Sequence, residues 1–321
     1  MSILTEKPGI LTTIQDLGRH GYRRFGINPS GVMDMTAARL INIVLGNSET
    51  EAVLEMHFPA PQIRFEADAI FAIGGAAFGP ELNDEAIENW RPYFAGQGSS
   101  LKFTNKLAGN RSYLALRGGI EAKEWLGSAS TNLVAKMGGV NGRKLESEDR
   151  LELKQSFTCL TPISAAGISN SLVPYYSPFP TVRIIRGAEF ADLSAMSRDL
   201  FLHQDFVVSK NSNRMGFRLI GEPVTLTKQR EFISSAVSFG TIQTLPDGQL
   251  IVLMADHQTA GGYPRIGHVI TRDLPLLAQL GANDKVAFHM IEQVEAEILA
   301  MEFERDLSFL RIGCRFQANS W

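Results

Sequence analysis

The feature that most constrains this chain is the length of its apolar runs, which are short and end in turn formers. Gln62–Phe65, Ala69–Ile73, Leu101–Thr104, Ser112–Leu116 and Leu151–Leu153 alternate with Gly, Pro, Asn and Asp. The same rhythm returns in Thr181–Ile185, Phe206–Ser209, Phe217–Ile220, Pro223–Leu226, Leu250–Met254 and Lys285–Met290. Segments this short, rich in branched and aromatic residues, predict strands. The rhythm breaks at 161–180, TPISAAGISNSLVPYYSPFP, where Pro, Ser, Gly and Asn gather without a helical or strand period. A chain of 321 residues is long for one core and suits two. The expectation is a mainly β protein with a few helices, in two β-rich barrel or sandwich domains over 1–165 and 175–321.

Three helices are predicted. Asp34 is placed to cap one in which Ala37, Leu40, Ile41 and Val44 fall at helical spacing before Gly46-Asn47. Asp273 is placed likewise before Leu274, Leu277 and Leu280, with Pro275 in the first turn and Gly281 as the stop. The third starts near Gln293, with Val294, Ile298 and Met301 on one face. For both aspartates, capping competes with a chemical role. KLESEDRLEL and QLGANDKVAF share an aliphatic residue, an Asp four places on and two alternating apolar positions, a short echo consistent with duplication.

Composition excludes several classes. With 44% hydrophobic and 20% charged residues the chain can bury two cores. Its net charge of −3 supplies no general attraction for nucleic acid or anionic lipid, although Arg19, His20, Arg23 and Arg24 form a basic knot able to grip a small anion. The cysteines, Cys159 and Cys314, lack the spacing of a disulfide framework or zinc site, so no metal is expected. The start lacks a basic segment followed by an apolar one, and no apolar run approaches the roughly 18 residues of a membrane span. A cytoplasmic protein without membrane attachment is expected.

The familiar catalytic signatures are missing: GxxxxGK[ST], GxGxxG after a strand, HExxH and GxSxG. GGAAFG at 74–79 follows an apolar run but has the wrong spacing for a dinucleotide, leaving a phosphate cradle or a bare turn. Three segments combine polar groups with glycine. In Thr12–Gly31, Gln15, Asp16 and Arg19 can clasp a carboxylate or simply organise a turn. Ser209–Gly216 offers Asn211, Ser212, Asn213 and Arg214 after a strand, as a ligand loop or a set of Asx turns. The third, LIVLMADHQTAGGYPRIGH over 250–268, runs from an apolar strand into Asp256, His257, Gln258 and Thr259. Unpaired polar groups cost roughly 1–3 kcal/mol each in a core, so this loop reads as a site, with a tight barrel corner as the competing reading. Gly261 and Gly262 let a ligand approach the backbone, and Tyr263-Pro264 adds a flat ring on a stiff support.

These stretches carry a resemblance. TTIQDLGRHGYRRFGINPSGVMD with the following helix and LGN, RSYLALRGGI with GSASTN, VSKNSNRMGFRL, and GTIQTLPDG leading to LMADHQTAGGYPRIG occur in order over nearly the whole chain. Together they resemble the family of the 5-oxoprolinase C subunit, which includes allophanate hydrolase subunit 2, the carboxyltransferase part of urea amidolyase and the Kip anti-inhibitor protein. The resemblance implies two cyclophilin-like β-barrel domains. It also implies two partners, the Kip-inhibitor-like B subunit of 5-oxoprolinase and its A subunit, with which 5-oxo-L-proline is opened to L-glutamate by ATP hydrolysis. In carboxyltransferase relatives a carboxyl group moves from carboxybiotin to urea. A regulatory role, sequestering a kinase inhibitor that resembles the B subunit, is the rival implied by the Kip anti-inhibitor.

The family motifs fall here on Gln15, Asp16, Arg19, Asn213, Arg214, Asp256, Gln258, Thr259 and Tyr263. Side-chain chemistry makes Arg214 and Gln258 oxyanion or carboxylate binders, Asp256 a positioning group or base and Tyr263 a wall; Gln15, Asp16, Arg19, Asn213, Thr259, Gly261 and Gly262 are expected to bind substrate. The chain departs from the family where Ala260 replaces a frequent Thr, where His257 replaces Arg or Ala, and at Arg186-Gly187-Ala188, where the family has a Pro after the Gly. Nothing resembles an AMKM biotinylation site, so any biotin would arrive on another chain.

Overall fold

The computed structural model describes residues 1–155, 167–228 and 231–318, with side chains through Arg315. Cys159 and positions 161–166 of the sequence break lie outside the described residues. The chain divides into two compact units: Met1–Arg19 with Ser30–Tyr175 and Arg305–Trp321, and His20–Pro29 with Tyr176–Glu304.

The first unit contains β1 (Ser2–Lys7), β2 (Thr12–Gln15), β3 (Val53–Met56), β4 (Gln62–Phe65), β5 (Ala69–Ala77), β6 (Pro80–Leu82), β7 (Glu85–Ala86), β8 (Pro92–Ala95), β9 (Ser100–Phe103), β10 (Ala108–Leu116) and β11 (Arg150–Glu152). They form two sheets, ordered β11-β1-β4-β9-β6-β7 and β2-β3-β10-β5-β8. Along β4, Ile63 and Phe65 are buried and Arg64 is exposed, the period-two pattern of a strand with one wet face. Ile3, Ile63, Phe65 and Leu101 of one sheet and Ile14, Leu54, Phe71, Ile73 and Leu114 of the other make one apolar cluster. The rings of Phe65 and Phe71 sit 5.3 Å apart within it.

Helix α1 (Met35–Val44) begins as predicted: Asp34 is extended (φ −107°, ψ 90°) and its carboxylate accepts the Ala37 N–H at 2.8 Å. The helix packs against β5. That packing explains GGAAFG, whose first four residues continue β5 and form neither a turn nor a phosphate loop. A Cβ on Gly74 would stand 2.6 Å from Ile41 Cγ2 and from Trp90 Cζ3, so the glycine is required by close approach of helix to strand.

The second unit contains β12 (Thr181–Arg186), β13 (Phe206–Val208), β14 (Gly216–Ile220), β15 (Ser235–Ala236), β16 (Thr241–Thr244), β17 (Leu250–Leu253), β18 (Ala260–Gly261), β19 (Arg265–Val269) and β20 (Lys285–Met290). Seven close into a barrel, β12-β19-β16-β17-β14-β13-β20, sealed by the parallel pair β12–β20. Val182, Phe206, Phe217, Ile242, Val252 and Phe288 are buried. Helix α2 (Ala195–His203) sets Phe201 against Phe288 at 5.3 Å. The mainly β reading with a few helices stands, with a closed barrel in this unit.

Three expectations need correction. Pro223–Leu226 is no strand; Leu226 makes an isolated bridge to Leu193. Helix α3 (Leu274–Ala278) has no side-chain cap, because Asp273 already lies in a helical conformation (φ −103°, ψ −7°) instead of the extended one a cap requires. Its buried carboxylate takes the Arg183 backbone N–H, Nε and Nη2 at 2.8, 2.9 and 2.6 Å. Helix α4 (Gln293–Ala318) starts as predicted, but the expected apolar face is the exposed one. Val294, Ile298 and Met301 are 66%, 50% and 72% exposed, while Phe303, Leu307 and Cys314 are buried. No helix among the described residues is long and apolar enough to cross a membrane.

The echo has a structural counterpart in each unit. Asp149 accepts the Glu146 N–H and Asp284 the Gly281 N–H, both at 2.7 Å. The preceding residues, Glu148 and Asn283, are both left-handed, with φ of 69° and 72°.

Candidate functional site

The loop after β17 is anchored to the loop before β14. Met254 N–H donates to Met215 O at 3.1 Å and Asp256 N–H to Arg214 O at 2.8 Å, continuing the β14–β17 ladder beyond its last paired residues. The side chains repeat the link: Arg214 Nε and Nη2 donate to the two oxygens of Asp256 at 2.8 and 3.2 Å. The pair is 11% and 16% exposed, and this planar two-bond geometry fixes orientation as well as charge. The ion pair ties the two loops together through Asp256 and Arg214.

The segment 20–29 joins the same loop. Asn28 Nδ2 donates to Asp256 O at 3.0 Å, and the Arg23 guanidinium donates to Val237 O. Part of the basic knot is thus used as a strap. His257, next in sequence to Asp256, is buried, with Nδ1 donating to Gln258 O at 2.6 Å. Burial holds its pKa below the ordinary histidine range, against the opposing pull of that carbonyl.

Beyond the anchored loops lies a cavity of about 450 Å³. Four side-chain amides line it: Asn211, Asn213, Gln243 and Gln258. Met215, Ile251 and Tyr263 supply apolar wall, and Arg218 and Asp247 add charge. Neither Arg214 nor Asp256 is among its lining residues. Gly261 is needed for space: its Cβ would stand 2.9 Å from Gln243 Nε2 and 3.3 Å from Gln258 Nε2. At Gly262 a Cβ would make ordinary contacts of 3.4 Å, with Phe232 O and Ser234 Oγ. Thr259 contributes its carbonyl, which accepts Val237 N–H at 3.3 Å.

Gln15, Asp16 and Arg19 belong to the first unit and are engaged there. Asp16 accepts from Gly18 N, Ala129 N, Ser128 Oγ and Ser130 Oγ at 2.5 to 2.8 Å. Arg19, 1% exposed, donates to Ser130 O at 2.5 Å and lies 4.7 Å over the Trp125 ring. Gln15 Nε2 donates to Thr131 O at 3.2 Å. The three side chains hold the 128–131 loop. Sequence reasoning passed over Gln243 as a site residue. Its signal was a glutamine between Ile242 and Thr244 in a strand buried on both faces. Among the described residues no group of three or more His, Cys, Asp or Glu side chains is placed to hold a metal ion.

Comparison with known proteins follows the same stretches. The chain is 38% identical to the 5-oxoprolinase C subunit of Escherichia coli strain K12, over 90% of its own length and 91% of that protein. It is 35% identical to the 5-oxoprolinase C subunit of Haemophilus influenzae, over 93% and 94%. It also matches the urea amidolyase of Lachancea kluyveri at 32% identity, covering 88% of this chain but 16% of that one. Among solved structures, the urea amidolyase of K. lactis superimposes with a TM-score of 0.90 at 29% identity, over 96% of this chain and 20% of that one. The family model for the carboxyltransferase domain, subdomain A and B, matches residues 25–290, and the chain belongs to that family.

Proposed function

We propose that this chain is the C subunit of an ATP-dependent 5-oxoprolinase, acting with the A and B subunits to open 5-oxo-L-proline to L-glutamate, and that the amide-lined cavity binds the lactam. The observation that carries the reading is the near end-to-end match to two 5-oxoprolinase C subunits, where the urea amidolyase of Lachancea kluyveri is matched in only 16% of its length. The cavity chemistry supports it. A lactam carbonyl gains negative charge when attacked, and the side-chain amide of Gln258 can donate to that oxygen more strongly as charge develops. The Arg214–Asp256 pair holds the loop that carries Gln258, and Tyr263 closes one side.

ATP has no evident cradle at this cavity. Among the described residues that line it Arg218 is the one cation, and it shares the cavity with Asp247, an arrangement unsuited to a triphosphate. We assign nucleotide chemistry to the partner subunits. Division of labour follows: the purified chain is expected to be inactive, and turnover is expected when the A and B subunits are added. Co-purification followed by an assay of glutamate from 5-oxoproline and ATP tests this, and robust ATP-dependent release by the chain alone would overturn it.

A second reading, carboxyl transfer to urea or a related amide, is favoured by the TM-score of 0.90 to the urea carboxylase of Kluyveromyces lactis. In that case carboxylated biotin would be brought by another chain, and the same assembly would transfer its carboxyl group to urea without releasing glutamate.

A further inference from the structure

We propose that Arg218 is the specificity residue of the cavity and binds a carboxylate of the ligand, so that the cavity takes a small monocarboxylate and discriminates against a neutral molecule of the same size. This deepens the proposed function and rests on it for the identity of the cavity as the substrate site. The backbone of Arg218 is fixed at both polar groups: its N–H donates to Ser212 Oγ at 3.1 Å, and its carbonyl accepts the Ser209 N–H at 2.8 Å. The side chain is held by nothing. The residue is exposed at the cavity, and no described residue hydrogen-bonds to its guanidinium or forms an ion pair with it. Arg183, Arg214 and Arg265 of the same unit each grip a carboxylate with two side-chain nitrogens, on Asp273, Asp256 and Glu189. Arg218 is placed as firmly in its strand but has no such partner, although Asp247 lines the same cavity.

Strand register sets what lies opposite. Arg218 of β14 pairs with Ile251 of β17, and Ile251 with Gln243 of β16, so three cavity-lining residues form one row across the sheet. Two strand spacings, about 10 Å, separate the ends of that row. Ile251 fills its middle: a Cβ on Gly216 would stand 2.7 Å from Ile251 Cδ1, so the glycine leaves the isoleucine its room. At the far end Gln243 Nε2 donates to Tyr263 O at 3.1 Å, which ties the aromatic wall to that side. A ligand resting on Ile251 therefore meets the guanidinium at one end and the Tyr263 wall at the other. The planar fork of an arginine matches a carboxylate with two parallel charge-assisted bonds, whereas a carboxamide offers one neutral oxygen. Asp247 disfavours a second negative charge in the same space.

The test compares 5-oxo-L-proline with its neutral carboxamide, which has the same ring and nearly the same size, by calorimetric titration of the full chain. We expect the acid to bind at least about tenfold more tightly than the carboxamide, as for one charge-assisted pair, and to lose much of that advantage at about 0.5 M salt. Arg218→Gln should bring the acid down to the affinity of the carboxamide and leave the carboxamide unchanged; Arg218→Lys should restore part of the preference. Equal binding of the two ligands, no saturable binding of the acid, or a preference kept by a folded Arg218→Gln would each overturn the proposal. Should neither variant fold, the wild-type ratio and its salt dependence decide alone. Absence of glutamate formation by the assembled subunits, with the preference for the acid intact, would sink the 5-oxoprolinase reading and leave the role of Arg218 standing. Glutamate formed at wild-type KM by a complex carrying Arg218→Gln would do the reverse.

Discussion

Arg214 and Asp256 face each other across the two loops that frame the cavity, joined by side-chain contacts of 2.8 and 3.2 Å and by a backbone hydrogen bond of 2.8 Å. Asp256→Ala removes the carboxylate from a cation that is 11% exposed. A loss of about 3 kcal/mol in urea unfolding is expected. If Asp256 instead served as a base, the variant would lose turnover at undiminished stability, and the two measurements separate the roles.

Gln258→Ala should behave in the opposite way. Its side chain lines the cavity and serves no anchoring bond described above, so the melting temperature should move little. Turnover of the assembled complex should fall roughly 10²–10³-fold, as for loss of one donor to a developing oxyanion. Wild-type turnover, or a drop of many degrees in melting temperature, would return this loop to a structural corner.

The paired glycines are predicted to differ. Gly261→Val drives a side chain into the amides of Gln243 and Gln258 and should abolish lactam binding. Gly262→Ala meets only 3.4 Å contacts and should bind within a few-fold of wild type. Equal effects in a titration would contradict the spatial reading.

Acid should weaken the second unit through its histidines. Burial lowers the pKa of both His257 and His268 below the free value. Below about pH 6.5 the unfolded chain takes up protons that the folded chain refuses, so the stability present above that pH is lost as pH falls toward the folded pKa values. The slope is at most about 1.4 kcal/mol per pH unit per histidine. Denaturant midpoints from pH 7.5 to 5 should decline, and His257→Gln should flatten the decline.

Glu148 offers a stabilising change. It holds φ at 69°, a region costly for most side chains, where the matching turn has Asn283. Glu148→Asn should raise stability by up to about 1 kcal/mol, read as a shift of the thermal midpoint.

What the sequence revealed depended on whether local or distant partners decided the outcome. Strand length, the Asp34 cap and the echoed Asp149 and Asp284 turns all rest on neighbours within a few residues, and those were legible. Asp273 looked identical to a cap in sequence, but Arg183, 90 residues away, claims its carboxylate. The apolar stripe of α4 was visible without any sign of which face would be covered. At the site, the loop at 256–263 announced itself by packing polar groups beside glycine. Gln243 stood only as one polar residue within a short strand, and it took the fold to bring it to the cavity.

The exchange of segments between the two units bears on how the protein is made. The first unit includes residues from Arg305 onward, and the second includes His20–Pro29. A ribosome therefore delivers the opening sheets long before the stretch of α4 that belongs with them, while the strap bearing Arg23 and Asn28 waits for a barrel not yet translated. Domains of many proteins fold one after another as they emerge. Here the second unit has all its residues only at Glu304 and the first only after Arg305, so the first unit waits for the last stretch of α4 although its sheets are made early.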